Sequence, residues 1–70
     1  MIGVLKTTTL YAVKNRDGRY MNLYENGKAA WCLSIRDAWL TNDIQWANDF
    51  AGLIKAAYVV ELTVVERRVS

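Results

Sequence analysis

Asn42 to Ala57 constrains the fold most, because it is the one stretch of the chain with a helical period. At about 100° per residue, Ile44, Trp46, Ala47, Phe50, Ala51, Leu53, Ile54 and Ala57 share one half of the cylinder. Asp43, Gln45, Asn48, Asp49, Gly52 and Lys55 share the other. Asn42 is placed to cap the first turn, with Gln45 reaching back to its N–H, and Asp43 puts a negative charge at the positive end of the helix dipole. Gly52 weakens the interior by roughly 1 kcal/mol relative to Ala, so packing rather than propensity must hold this helix. It needs a wall, and the rest of the chain must supply one.

That remainder reads as strand and turn. Thr7 to Lys14 is rich in Thr, Tyr and Val and predicts a strand. Asn15-Arg16-Asp17-Gly18-Arg19 predicts a three-residue loop with Gly18 in the left-handed region. That pairs Asn15 with Arg19, Val13 with Met21 and Tyr11 with Leu23. Tyr20 to Glu25 follows as the second strand. Asn26-Gly27 is a strong hairpin signal, and a two-residue turn there sets Glu25 opposite Lys28, Leu23 opposite Ala30 and Met21 opposite Cys32. Trp31 then lies opposite Asn22.

The meander closes with Lys28 to Leu33. One face carries Tyr11, Val13, Met21, Leu23, Ala30 and Cys32. The other carries Leu10, Ala12, Tyr20, Asn22, Tyr24, Trp31 and Leu33. The small Ala30 and Cys32 predict that the helix packs on the first of these. Ser34-Ile35-Arg36-Asp37 predicts a short helical turn through Trp39. After Ala57 the period becomes two: Tyr58, Val60, Leu62 and Val64 alternate with Val59, Glu61, Thr63 and Val65, a fourth strand fraying into Glu66-Arg67-Arg68.

The predicted fold is therefore a single α+β domain over residues 1–70. It has a three-stranded antiparallel meander, a short helical turn, one main amphipathic helix on one sheet face and a C-terminal fourth strand. A right-handed crossover predicts spatial order 3-2-1-4, with the last strand parallel to the first.

Size bears on function. Seventy residues hold one small core. The single Cys allows no internal disulfide, and without His no zinc site of the usual kind can form. Tight packing or self-association must stand in. The start, Met1 to Leu5, is too short for a signal-peptide core, and no apolar run reaches membrane-spanning length. A cytoplasmic protein with a reduced Cys32 is expected.

Catalytic chemistry finds little support. No His offers a base near neutral pH. Cys32, between Trp31 and Leu33, reads as a structural thiol. Asp43 and Asp49 diverge by about 120° on a helix and form no joint site. Gly3, Gly18, Gly27 and Gly52 match no phosphate-binding loop. No enzyme, cofactor or metal is expected.

The informative feature is a surplus of apolar surface, since both meander faces are apolar and one helix covers one. The leading expectation is a non-catalytic protein-interaction module, acting as a homodimer through an apolar face and an open edge strand. Tyr20, Tyr24, Trp31, Leu33 and Trp39 would form its interface. The alternative is a single-stranded nucleic-acid binder, stacking bases on Tyr20, Tyr24 and Trp31 and holding phosphates with Lys14, Arg16, Arg19 and Lys28. Against it stands a net charge of only +2.

Four stretches carry a resemblance: Tyr11-Ala12-Val13-Lys14-Asn15, Gly18-Arg19-Tyr20-Met21-Asn22, Ala38-Trp39-Leu40, and Ala47 with Phe50-Ala51. Together they resemble the small uncharacterised accessory proteins of phages and prophages, in which a hairpin leads into a helix and a closing strand. The resemblance implies a phage-encoded cytoplasmic protein that binds and modulates a host factor. Its motifs are turn and core residues, so no functional residue comes with it.

Overall fold

Two turns set the sheet. In the first, Asn15 Oδ1 accepts from the backbone N–H of both Asp17 and Arg19 at 3.0 Å, and Gly18 sits at φ +78°. Asn15 N–H donates to the Arg19 carbonyl, so Lys14 pairs with Tyr20 as the three-residue loop requires. In the second, Asn26 and Gly27 both take positive φ, +53° and +76°, the pairing a twisted two-residue hairpin needs. Glu25 lies opposite Lys28.

The computed structural model describes residues 3–70, so the apolar start read at Met1–Leu5 lies partly outside them. The elements are β1 (Gly3–Lys14), β2 (Tyr20–Glu25), β3 (Lys28–Cys32), a 3-10 turn (Ile35–Asp37), α1 (Ile44–Leu53) and β4 (Tyr58–Arg68). The strands form one antiparallel sheet in the order β3-β2-β1-β4.

Four expectations are corrected. First, a bulge at Asn22 shifts the β2–β3 register by one residue. Leu23 stays opposite Ala30, but Met21 faces Trp31 rather than Cys32, and Tyr20 faces Cys32. A one-residue slip exchanges faces. Met21, Tyr24, Ala29 and Trp31 therefore share the helix side, and the helix does not lie over Ala30 and Cys32. The slip lets both large aromatics enter the core while Leu23 turns out.

Second, β2 pairs with β1 only at the turn, through Lys14 and Tyr20, so neither Val13 with Met21 nor Tyr11 with Leu23 forms a ladder pair. The chain after β3 wedges between them. Trp39 N–H donates to the Met21 carbonyl at 2.9 Å, and Tyr11 and Thr41 exchange backbone hydrogen bonds at 2.7 and 3.1 Å. Only Ile35–Asp37 is helical there, with Ser34 Oγ accepting from Arg36 N–H.

Third, α1 is shorter than its apolar pattern. Asp43, not Asn42, is the cap: its Oδ1 accepts from Gln45 and Trp46 N–H at 2.9 and 3.3 Å. Thr41, held at Tyr11, accepts the Asp43 N–H on its hydroxyl and delays helix entry by one residue. A carboxylate at the dipole's positive end is the better cap. The helix stops after Gly52-Leu53, and Ala56 takes φ +62° in the turn toward β4.

Fourth, β4 is antiparallel to β1. After β3 the extended strap Trp39–Thr41 runs one way, and ten helical residues, about 15 Å, run back. The two displacements cancel, so β4 starts at Tyr58 beside Lys14, where β1 ends, and must run antiparallel.

The core follows. Val13, Met21 and Ala47 are fully buried, with Tyr11, Tyr24, Trp31, Trp39, Phe50, Ile54 and Val59 packed against them. Phe50 is the hub of the aromatics, its ring 4.9 Å from Trp39 and 5.5 Å from Tyr24 between centroids. Ile44, Trp46 and Leu53, on the apolar half of the helix, stay about half to two-thirds exposed.

Candidate functional site

The strands differ in length. β1 spans 12 residues, about 40 Å of extended chain, while α1 spans about 15 Å. The helix and β2 meet β1 only near its end, so Gly3–Thr9 and Thr63–Arg68 run on as a two-stranded ribbon. The molecule measures 47 × 23 × 20 Å accordingly. The ribbon's side chains are largely exposed: Val4 and Leu5 above three-fifths, Val64 and Val65 near half. A bulge at Leu5 breaks the register between Val4 and Lys6. No break occurs in β4, whose outer edge, among the described residues, has no strand beside it for eleven residues.

The sheet face opposite α1, the back face, is continuous with the ribbon. From the register it carries the rows Thr8–Val64, Leu10–Leu62, Ala12–Val60 and Tyr20–Lys14–Tyr58. Ala12 is fully buried yet lies outside the helix-side cluster, a small side chain on the back between larger ones. Lys14 Nζ sits 4.7 Å from the Tyr20 ring centroid. Tyr58, on the other side of Lys14, is about half exposed. Trp39 of the strap packs on the helix-side cluster and not on this face.

The residues expected to form one interface are thus divided. Tyr24, Trp31 and Trp39 pack against the core beneath α1. Tyr20 lies on the back face, and Leu33, beyond the end of β3, is three-quarters exposed. The basic residues divide as well. Arg16 and Arg19 sit in the first loop beside Lys14, whereas Lys28 sits at the second turn, a strand length of about 17 Å away. Tyr58 and Val64, each nearly half exposed, and Leu10 and Leu62, partly buried between them and Ala12, are the back-face residues that local pattern did not single out. The signal for them was length: strands of eleven and twelve residues cannot be roofed by one short helix.

Cys32 lies next to this face. Its Sγ lies 3.4–3.5 Å from the Ser34 and Tyr20 carbonyls. Burial, and then the Asp37 carboxylate, push its pKa up, so the thiol stays protonated at neutral pH. Among the described residues no three His, Cys, Asp or Glu side chains group to hold a metal, and no helix is long and apolar enough to cross a membrane. No protein-family model matches the chain, and neither a curated protein nor a solved structure matches it.

Proposed function

We propose that this chain is a non-catalytic protein-interaction module whose contact surface is the β1–β4 ribbon and the back face around Leu10, Leu62, Tyr58 and Tyr20. One observation carries the reading. The chain exposes 5305 Å². A compact monomer of 8.0 kDa exposes about 4,450 Å². The excess, roughly 850 Å², is what one partner gives up in a standard interface. The radius of gyration agrees, at 14.0 Å against about 11 Å for a compact chain of this length. A two-stranded ribbon is also marginal alone and gains from a third strand or a covering surface. The resemblance to phage accessory proteins supplies the kind of partner: a host protein in the cytoplasm whose activity the module modulates.

The test uses a ladder pair on the back face. Leu10→Lys with Leu62→Glu keeps the strands complementary and removes the apolar surface. The expected result is loss of binding of an environment-sensitive apolar dye with a cooperative melt retained, at a somewhat lower temperature because both leucines are partly buried. A wild-type protein that binds no dye and behaves as a compact sphere in sedimentation overturns the reading.

Single-stranded nucleic acid is the second reading, favoured by the row Tyr20–Lys14–Tyr58 with Arg16 and Arg19 in the adjoining loop. It no longer uses Tyr24 or Trp31. It predicts that an oligonucleotide binds at low salt, that affinity falls steeply with salt, and that Tyr58→Ala weakens it. Absence of binding at low salt removes it.

A further inference from the structure

Among the described residues, the outer edge of β4 offers eleven residues of backbone with no strand beside it, no Pro and no bulge. Such an edge is a template for another strand unless something blunts it. Its only charges are Glu61, Glu66, Arg67 and Arg68. Within the chain Glu61 lies opposite Tyr11 and Arg67 opposite Val4, so neither faces an opposite charge across its own ladder.

We infer that β4 pairs antiparallel with β4 of a second copy about a two-fold axis at Val64; this rests on the ribbon being a contact surface. The spacing of the charges selects the copy and the register. Centred on Val64, Glu61 of each chain faces Arg67 of the other, and Thr63 faces Val65. Among registers that keep both helices on one face of a continuous sheet, this one alone opposes Glu to Arg twice with no like charges opposed. A centre at Thr63 or Val65 leaves Glu61 facing a valine, and a centre at Glu61 or Glu66 opposes glutamates. Two marginal two-stranded ribbons become one four-stranded sheet, β1-β4-β4-β1. The pairing is isologous and closes at two copies. The ribbon excess supplies surface of the size a dimer needs.

Sedimentation velocity across micromolar to millimolar protein tests it with a charge swap. Glu61→Arg and Arg67→Glu should each weaken dimerisation about tenfold or more, since each makes two opposed pairs repulsive. The double variant should restore it. Circular dichroism confirms that each variant is folded. A second test places Val64→Cys in a Cys32→Ser background. Residues opposed across an antiparallel pair have Cα atoms about 4.5–5.5 Å apart, within disulfide reach. Mild oxidation should give a covalent dimer, and Leu23→Cys in the same background should not. A dimer insensitive to the charge swap, or a wild type monomeric at every concentration, overturns the pairing. If apolar dye still binds in that case, the contact-surface reading survives it; if dye binding is also absent, both fall.

Discussion

β1 and β4 form a single ladder from Lys14–Tyr58 to Gly3–Arg68, yet its two ends live in different surroundings. At the Lys14 end, Val13 and Val59 lie beneath α1, with Val13 fully buried. At the Gly3 end, Val4 and Leu5 are exposed, and Arg67 and Arg68, opposite Val4 and Gly3, stand in water. Aliphatic content does not separate the two, since both carry Val and Leu, although Thr7–Thr9 and Thr63 fall in the ribbon and Tyr11 and Tyr58 in the body. What separates them is the length of the crossover, which reaches Tyr11 and turns back. Burial at one end was decided by elements elsewhere in the chain, and the other end was left exposed.

If that division holds, substitutions in the body lower stability at any protein concentration, and those in the ribbon act through association. Phe50→Ala should have the largest effect, about 3 kcal/mol. That is the low end for truncating a buried aromatic, because part of the ring is exposed. For so small a domain this approaches the whole stability, so the melt should broaden and fall well below that of the wild type. Trp31→Ala should follow at roughly 2–3 kcal/mol, its ring lying against the helix-side core rather than on an outer face. Urea titration at two concentrations checks both. A Trp31→Ala midpoint that depends on concentration more than the wild type's would put this residue back at an interface and break the comparison.

How much of this was legible in the chain can be judged residue by residue. Both turns were, because Asp17-Gly18 and Asn26-Gly27 satisfy backbone demands that few other residues meet. The strand order came out as expected, but the parallel crossover it was argued from is not the one the chain makes. The bulge at Asn22 was not, since an asparagine in a strand carries no local mark of an extra residue. It reversed the faces of Tyr24 and Trp31. The clue was global: the unslipped register leaves two large aromatics outside. The wedge of Trp39–Thr41 was hidden for the same reason, being a long-range contact that displaced β2 from β1. The direction of β4 depended on both. On the back face, Tyr20 was placed from pattern, while Leu10, Tyr58, Leu62 and Val64 drew notice only through the strand lengths.

Smaller effects sharpen the boundary of the body. Asp43→Ala removes an acceptor shared by two helix N–H groups and should cost about 1 kcal/mol. Asn42→Ala should cost close to nothing, and equal losses at both positions would return the cap to Asn42. Ala56 holds φ +62°, a region L-residues enter at a cost, with the entropy of a flexible chain partly offsetting the gain from glycine. Ala56→Gly should therefore stabilise by about 0.5–1 kcal/mol, raising the melting temperature by a few degrees. A lower melting temperature would mean that the turn into β4 relies on the alanine methyl.

The smallest effect concerns Cys32, where the sheet meets the 3-10 turn. Burial first, and the Asp37 carboxylate second, raise its pKa in the folded chain above the usual thiol value of about 8.5. The sign follows from linkage. Between the unfolded and folded pKa values the native state binds more protons than the unfolded state, so stability falls as pH rises through that interval and is unaffected below it. Wild type and Cys32→Ala should thus have parallel stability profiles from neutral pH to about 8, with the wild type falling away more steeply above about pH 8.5. The difference between the two curves isolates the thiol from Tyr and Lys titration. Alkylation should agree, with Cys32 reacting more slowly at pH 8 than in the urea-unfolded chain. Equal rates in the two states would mean that the Ser34–Asp37 turn opens readily, and that the body ends short of it.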